Sequence, residues 1–134
     1  MSASFSYGRQ EKLKSRAALE LLFAKGRTLS VFPVKVFYLA KPADRGTVQA
    51  GVGVGARYFK KATERNRIKR LLRENYRLHK EALSVLAVAK GLEVKVFLLY
   101  IDKTMPEKDI LPQKMPLVIQ KLVQQLHEMA TANP

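Results

Sequence analysis

The chain has no cysteine, no tryptophan, only two histidines and few acids. Without cysteine there is neither a disulfide framework nor a thiolate zinc site, and His79 and His127 are too few and too far apart for a ligand cluster. No stretch approaches the roughly 18 consecutive apolar residues of a membrane span. The opening Met1-Ser2-Ala3-Ser4-Phe5 lacks the charged start and apolar run of a signal peptide, so the expected location is the cytoplasm. Eleven Asp and Glu stand against 25 Lys and Arg, a net charge of +14. Such an excess on a small chain repels itself unless a polyanion is the partner, which makes nucleic acid the first candidate. A membrane surface would require a basic amphipathic helix with little other core, which the sequence does not offer.

Core-forming residues are plentiful: 47% of the chain is apolar and 27% charged, the balance of a folded protein. Its 134 residues fit one domain, with an expected core over about residues 11–130 and short flexible termini.

Leu13, Ala17, Leu21 and Ala24 recur at helical spacing between Glu11 and Gly26, and the glycine is a natural stop. Val31 to Ala40 alternates as a strand, with room for a short extra strand near Leu29 to Phe32, and Pro42 with Gly46 marks a hairpin-like turn. Thr47 to Gly55 sets Ala50, Val52 and Val54 on one face and three glycines on the other, a face bare enough for a helix or an RNA backbone to approach. A helical pattern runs from Lys61 to Leu86, with Ile68, Leu71, Leu72, Asn75, Tyr76, His79 and Leu83 in an apolar stripe and Arg65, Lys69, Arg73 and Arg77 in a basic one; Gly91 ends the stretch. Val94 to Ile101 reads as a strand inside a covered sheet. Asp102 to Pro116 reads as an irregular connection, followed by a last helix with Pro116 in its first turn. The expected class is α+β: a small mixed sheet with helices packed on one side.

Ten of the 25 basic residues fall between Arg57 and Lys80: Arg57, Lys60, Lys61, Arg65, Arg67, Lys69, Arg70, Arg73, Arg77 and Lys80. Only Glu64 and Glu74 oppose them. A solvated helix face normally interleaves acids with bases at i,i+4 spacing, and this one hardly does. Guanidinium groups bind phosphate through two donors and stack on bases, so an arginine-rich helix suits a folded RNA.

The run Arg65-Asn66-Arg67-Ile68-Lys69-Arg70-Leu71-Leu72-Arg73-Glu74 closely resembles the arginine-asparagine-arginine signature of the bacterial ribonuclease P protein family. Leu13-Lys14, Phe23 with Lys25-Gly26, and the strands Phe32 to Leu39 and Gly51 to Gly55 fall in the family's order, so the resemblance covers most of the chain from Lys12 to Leu126. It implies a ribosomal-protein-like domain with a left-handed βαβ crossover through the signature helix. It also implies an accessory protein subunit of an endoribonuclease whose catalytic centre is RNA, with one protein per RNA. Magnesium would be held mainly by that RNA, and the reaction would remove the 5′ leader of precursor tRNA. Carried over by position, Arg57, Lys60, Lys61, Arg65, Asn66, Arg67, Lys69, Arg70 and Arg73 would face the catalytic RNA. Lys14, Phe23, Lys35 and Phe37 would line a cleft for the leader, between the first helix and the sheet. Leu19 stands where the family typically has a second aromatic, and the loop Gly55 to Lys61 is one residue longer than usual.

Gly51-Val52-Gly53-Val54-Gly55-Ala56 mimics a dinucleotide-binding pattern, but its glycines lie inside a strand and not in a strand-to-helix turn. On residue type alone Phe23 and Phe37 read as core; the resemblance turns Phe37 toward the cleft and leaves Phe23 divided between the two. No carboxylate cluster or histidine pair suggests a nuclease centre within the protein. Two other readings of the basic helix are a structural RNA-binding protein of ribosomal type and a DNA-binding module; the spread of cations over more than one helix face argues against the latter.

Overall fold

The computed structural model describes residues 16–132. Its order is α1 (Arg16–Lys25), β1 (Arg27–Val31), β2 (Val34–Pro42), β3 (Thr47–Val54), α2 (Ala62–His79), α3 (Glu81–Lys90), β4 (Leu92–Tyr100) and α4 (Ile110–Ala132). The sheet is mixed, in the order β1-β2-β4-β3. β1 and β2 form an antiparallel hairpin, β2 and β4 are antiparallel, and β3 runs parallel to β4. Parallel neighbours need a crossover, which α2 and α3 supply.

Alternation along the inner strands decides which layer each residue joins. Val34, Val36 and Tyr38 of β2 and Val94, Val96, Leu98 and Tyr100 of β4 form one cluster with Ile68, Leu72 and Tyr76 of α2, Leu83 and Ala87 of α3, and Leu111, Met115, Val118 and Leu122 of α4. Three helices therefore cover one face, as the α+β reading expects. α1 lies over the opposite face, where Phe23 meets the β2 and β4 residues that alternate with the core set. It is held there by Leu22, which is completely buried outside the main cluster.

Four local expectations need correction. The hairpin is β1–β2, because β4 inserts between β2 and β3: the most continuously apolar strand takes a central position, paired on both sides. The turn after β2 is tied instead to the end of α3, through the Ala43 N–H and the Gly91 carbonyl at 2.8 Å. The single helix expected from Lys61 to Leu86 is two, broken at Lys80. Its buried positions 76, 80, 83 and 87 stay in helical phase, so periodicity carries no trace of the break. The expected stop at Gly91 is present: it takes φ 62°, a left-handed conformation that favours glycine, and its N–H caps α3. Finally, α4 starts at Ile110, within the stretch expected to be irregular, so Pro112 occupies its first turn and Pro116 lies inside the helix. A proline in the first turn removes an N–H that has no helical partner.

Candidate nucleic-acid interface

The face under α1 carries a group of three phenylalanines. β2 and β4 pair with Phe37 directly opposite Phe97. The Phe23 ring stands edge-on to both, its centroid 5.1 Å from Phe37 and 5.2 Å from Phe97, with interplanar angles of 80° and 86°. Phe37 and Phe97 are half-buried, whereas Phe23 is 49% exposed. The ring of Phe97 leans over β3 at Gly53, where a Cβ would lie 2.5 Å from its Cζ. The bare glycine face thus receives an aromatic ring of the neighbouring strand.

Cations flank this floor unequally. Lys35 Nζ lies 5.2 Å from the centre of the Phe37 ring, a cation–π distance. At the other end, Lys95 is 3.3 Å from Glu93, which also pairs with Lys41 at 3.1 Å. The Lys41 hydrogen bond, with Lys95 helping, holds the Glu93 carboxyl below its ordinary range. Lys95 is therefore partly neutralised. Phe23, Lys35 and Phe37 come together as expected; Lys14 lies outside the described residues. Phe97 was missed, because β4 reads as one apolar run. The available signal was Lys95, two residues earlier on the same face.

The second basic surface begins in the loop between β3 and α2. Phe59, 4% exposed, anchors the loop with its ring 6.1 Å from that of Tyr100. Arg57, Lys60 and Lys61 are exposed, and the Arg57 guanidinium lies 5.3 Å from the centre of the Tyr58 ring. Lys61 caps α2 without a side-chain hydrogen bond, so the positive end of the helix dipole adds to these cations. Ile68, Leu72, Asn75 and Tyr76 bury one side of α2, which directs Asn66, Arg67 and Arg70 outward. Asn75 satisfies itself in the core by donating from Nδ2 to the Leu71 carbonyl at 2.9 Å.

The stripe of Arg65, Lys69, Arg73 and Arg77 is half-buried along the flanks of α2 and not at its most exposed line. Arg65 has a structural task in addition: its Nη1 donates to the carbonyls of Phe59 at 2.7 Å and Lys60 at 2.8 Å, clamping the loop to the helix. Arg70 is loosely paired with Glu74 at 3.9 Å, both well exposed, a contact of little energetic weight. Among the described residues no group of three His, Cys, Asp or Glu could hold a metal ion. No described helix is long and apolar enough to cross a membrane.

A mixed sheet with an open aromatic floor on one face and an arginine-rich helix on the other, on a chain of net charge +14, defines a small basic α+β protein of the RNA-binding class. A family model described as Ribonuclease P matches residues 7–100. The ribonuclease P protein component of Porphyromonas gingivalis is 28% identical over 106 residues, spanning 78% of this chain and 77% of the relative. That of Idiomarina loihiensis is 34% identical over 93 residues, spanning 67% and 74%. The solved Staphylococcus aureus RNase P protein superposes with a TM-score of 0.50 at 19% identity, covering 90% of this chain and 94% of that one.

The chain belongs to the bacterial ribonuclease P protein family. It is a protein component of the endoribonuclease of tRNA 5′ processing, and its partner is the ribonuclease P RNA.

Proposed function

We propose that the two surfaces divide the work: the loop at 55–61 and the exposed side of α2 hold the ribonuclease P RNA, while the floor under α1 receives the single-stranded 5′ leader of precursor tRNA. One observation carries the second half of this reading. Three phenylalanine rings gather on the sheet face away from the main core, with Phe23 half-exposed and Lys35 beside Phe37. Rings available to solvent beside a cation suit single-stranded nucleic acid, because every base has a π-face and every linkage a phosphate. Lys95 is occupied by Glu93, so the leader phosphates run past the Lys35 end. Arg57, Lys60, Lys61, Asn66, Arg67 and Arg70 are exposed and supply phosphate contacts to the RNA, with Lys69 and Arg73 on the flanks. Arg65 contributes by holding the loop.

One protein serves one RNA, in the cytoplasm. The magnesium ions of the reaction are held mainly by the RNA. The protein's own residues bind and orient; they move no proton and attack no phosphorus. The test is Phe37→Ala in the reconstituted holoenzyme. Loss of a base–aromatic stack costs about 1–3 kcal/mol, roughly tenfold to a hundredfold in affinity, and it should fall on precursor tRNA and spare tRNA without a leader. Equal losses on both substrates, or failure to assemble with the RNA, would reject Phe37 as a leader contact.

A further inference from the structure

Two adjacent aromatics in the β3–α2 loop have opposite fates. Phe59 is 4% exposed and packs against Tyr100; Tyr58 is 50% exposed. One ring is enough to anchor the loop, and the second keeps about half of its surface in water. Tyr58 is nonetheless firmly placed. Phe59 pins the loop from inside, and the Arg65 guanidinium clamps the carbonyls of Phe59 and Lys60 immediately after it. The Arg57 guanidinium lies over the ring, 5.3 Å from its centre, and Lys60 and Lys61 are exposed two and three residues on. A flat ring on a fixed loop, with a guanidinium over it and two ammonium groups after it, has the chemistry of a stacking platform. The ring supplies a π-face and the cations hold the flanking phosphates.

We propose that Tyr58, with Arg57 beside it, stacks on one unpaired base of the ribonuclease P RNA, and that Arg65 is the positioning residue that fixes this platform. The inference rests on the reading of the loop and α2 as the RNA-binding surface. Its target is a bulged or loop nucleotide, because bases within an A-form helix are already stacked and present no free face. Tyr58 follows Arg57 on a loop clamped to α2, so the base belongs to the RNA that α2 engages and not to the leader.

The experiment measures affinity of the full chain for ribonuclease P RNA over a salt series, for wild type, Tyr58→Ala, Tyr58→Leu, Tyr58→Phe and Arg67→Glu, with thermal melting of each. Tyr58→Ala and Tyr58→Leu should weaken binding roughly tenfold to a hundredfold with an unchanged log–log salt slope, because a stack releases no counterions. Tyr58→Phe, which keeps the π-face, should retain most of the affinity. Tyr58→Leu keeps apolar bulk, so its melting temperature should stay near that of the wild type and separate stacking from folding. Wild-type affinity in Tyr58→Leu would overturn the platform; if Arg67→Glu still weakens binding and flattens the slope, the surface reading survives. An unchanged slope and affinity in Arg67→Glu would reject the surface reading itself. A Tyr58→Leu defect confined to leader-bearing substrate, with RNA assembly intact, would also overturn the proposal by assigning Tyr58 to the leader.

Discussion

A methyl group at position 53 would sit 2.5 Å from the Cζ of Phe97, closer than any real contact, so the absence of a side chain there lets that ring lie across β3. Gly53→Ala should tilt Phe97 and with it the Phe23 edge contact at 5.2 Å. The expected outcome is a several-fold loss of affinity for precursor tRNA and a stability change of about 1 kcal/mol or less, since the ring is only half-buried and can move outward. Denaturant unfolding together with substrate binding checks this; unchanged precursor affinity would mean that Phe97 is no part of the floor. At the scale of single residues the sequence was an uneven guide. Lys35 and Phe37 lie on the expected strand face because alternation fixes sidedness. Arg65 could be recognised in its signature, but its bonds to two loop carbonyls depend on how the loop folds back, which no spacing encodes.

α2 is an element with two tasks, burying Ile68, Leu72 and Tyr76 while directing Arg67 and Arg70 to solvent. Charge reversal at either arginine should weaken binding to the ribonuclease P RNA and reduce the magnitude of its log–log salt slope by about 1, with little effect on stability, because each lost phosphate contact withholds about one counterion. Affinity titrations over a range of salt test this, and an unchanged slope would place the helix away from RNA. β4 carries a different electrostatic feature. Glu93 is held below its ordinary pKa, chiefly by the Lys41 hydrogen bond and also by Lys95. A depressed carboxyl contributes stability that is present above its unfolded pKa, near 4.3, and is lost as pH falls through the lower folded value. Glu93→Gln should therefore destabilise the protein at neutral pH by up to about 1 kcal/mol, as partly exposed pairs do, and the gap should close in acid, once pH has fallen through the lowered folded value. Urea unfolding at both pH values measures it; a gap that persists in acid would assign the effect to packing. Elements with strong periodicity, such as β3 and the first part of α2, were legible from the sequence. The break at Lys80 was not, because the buried stripe continues through it in phase, and the start of α4 was hidden by Pro112 and Pro116, which read as breakers although a first turn accepts one and the helix accommodates the other.

On the scale of the whole molecule, the sheet separates the aromatic floor on its α1 face from α2 on the other. The strand order that does this was not legible, since placing β4 between β2 and β3 depends on long-range pairing that neither strand's pattern specifies. As the protein component that partners ribonuclease P RNA, the isolated chain should leave precursor tRNA intact, and addition of that RNA at low magnesium should restore leader removal. Cleavage by RNA-free protein would contradict that division of labour. Whether the RNA and the leader meet separate surfaces is decided by comparing Phe37→Ala and Arg67→Glu in one assay, binding each reconstituted holoenzyme to precursor tRNA and to the same tRNA without its leader. Phe37→Ala should lose affinity roughly tenfold to a hundredfold for the precursor alone, with assembly intact, whereas Arg67→Glu should weaken assembly with the RNA and leave the preference for the leader unchanged once assembly is saturated. The opposite assignment, or two variants that fail on both substrates in the same way, would contradict a protein with separate surfaces for its RNA and for the leader.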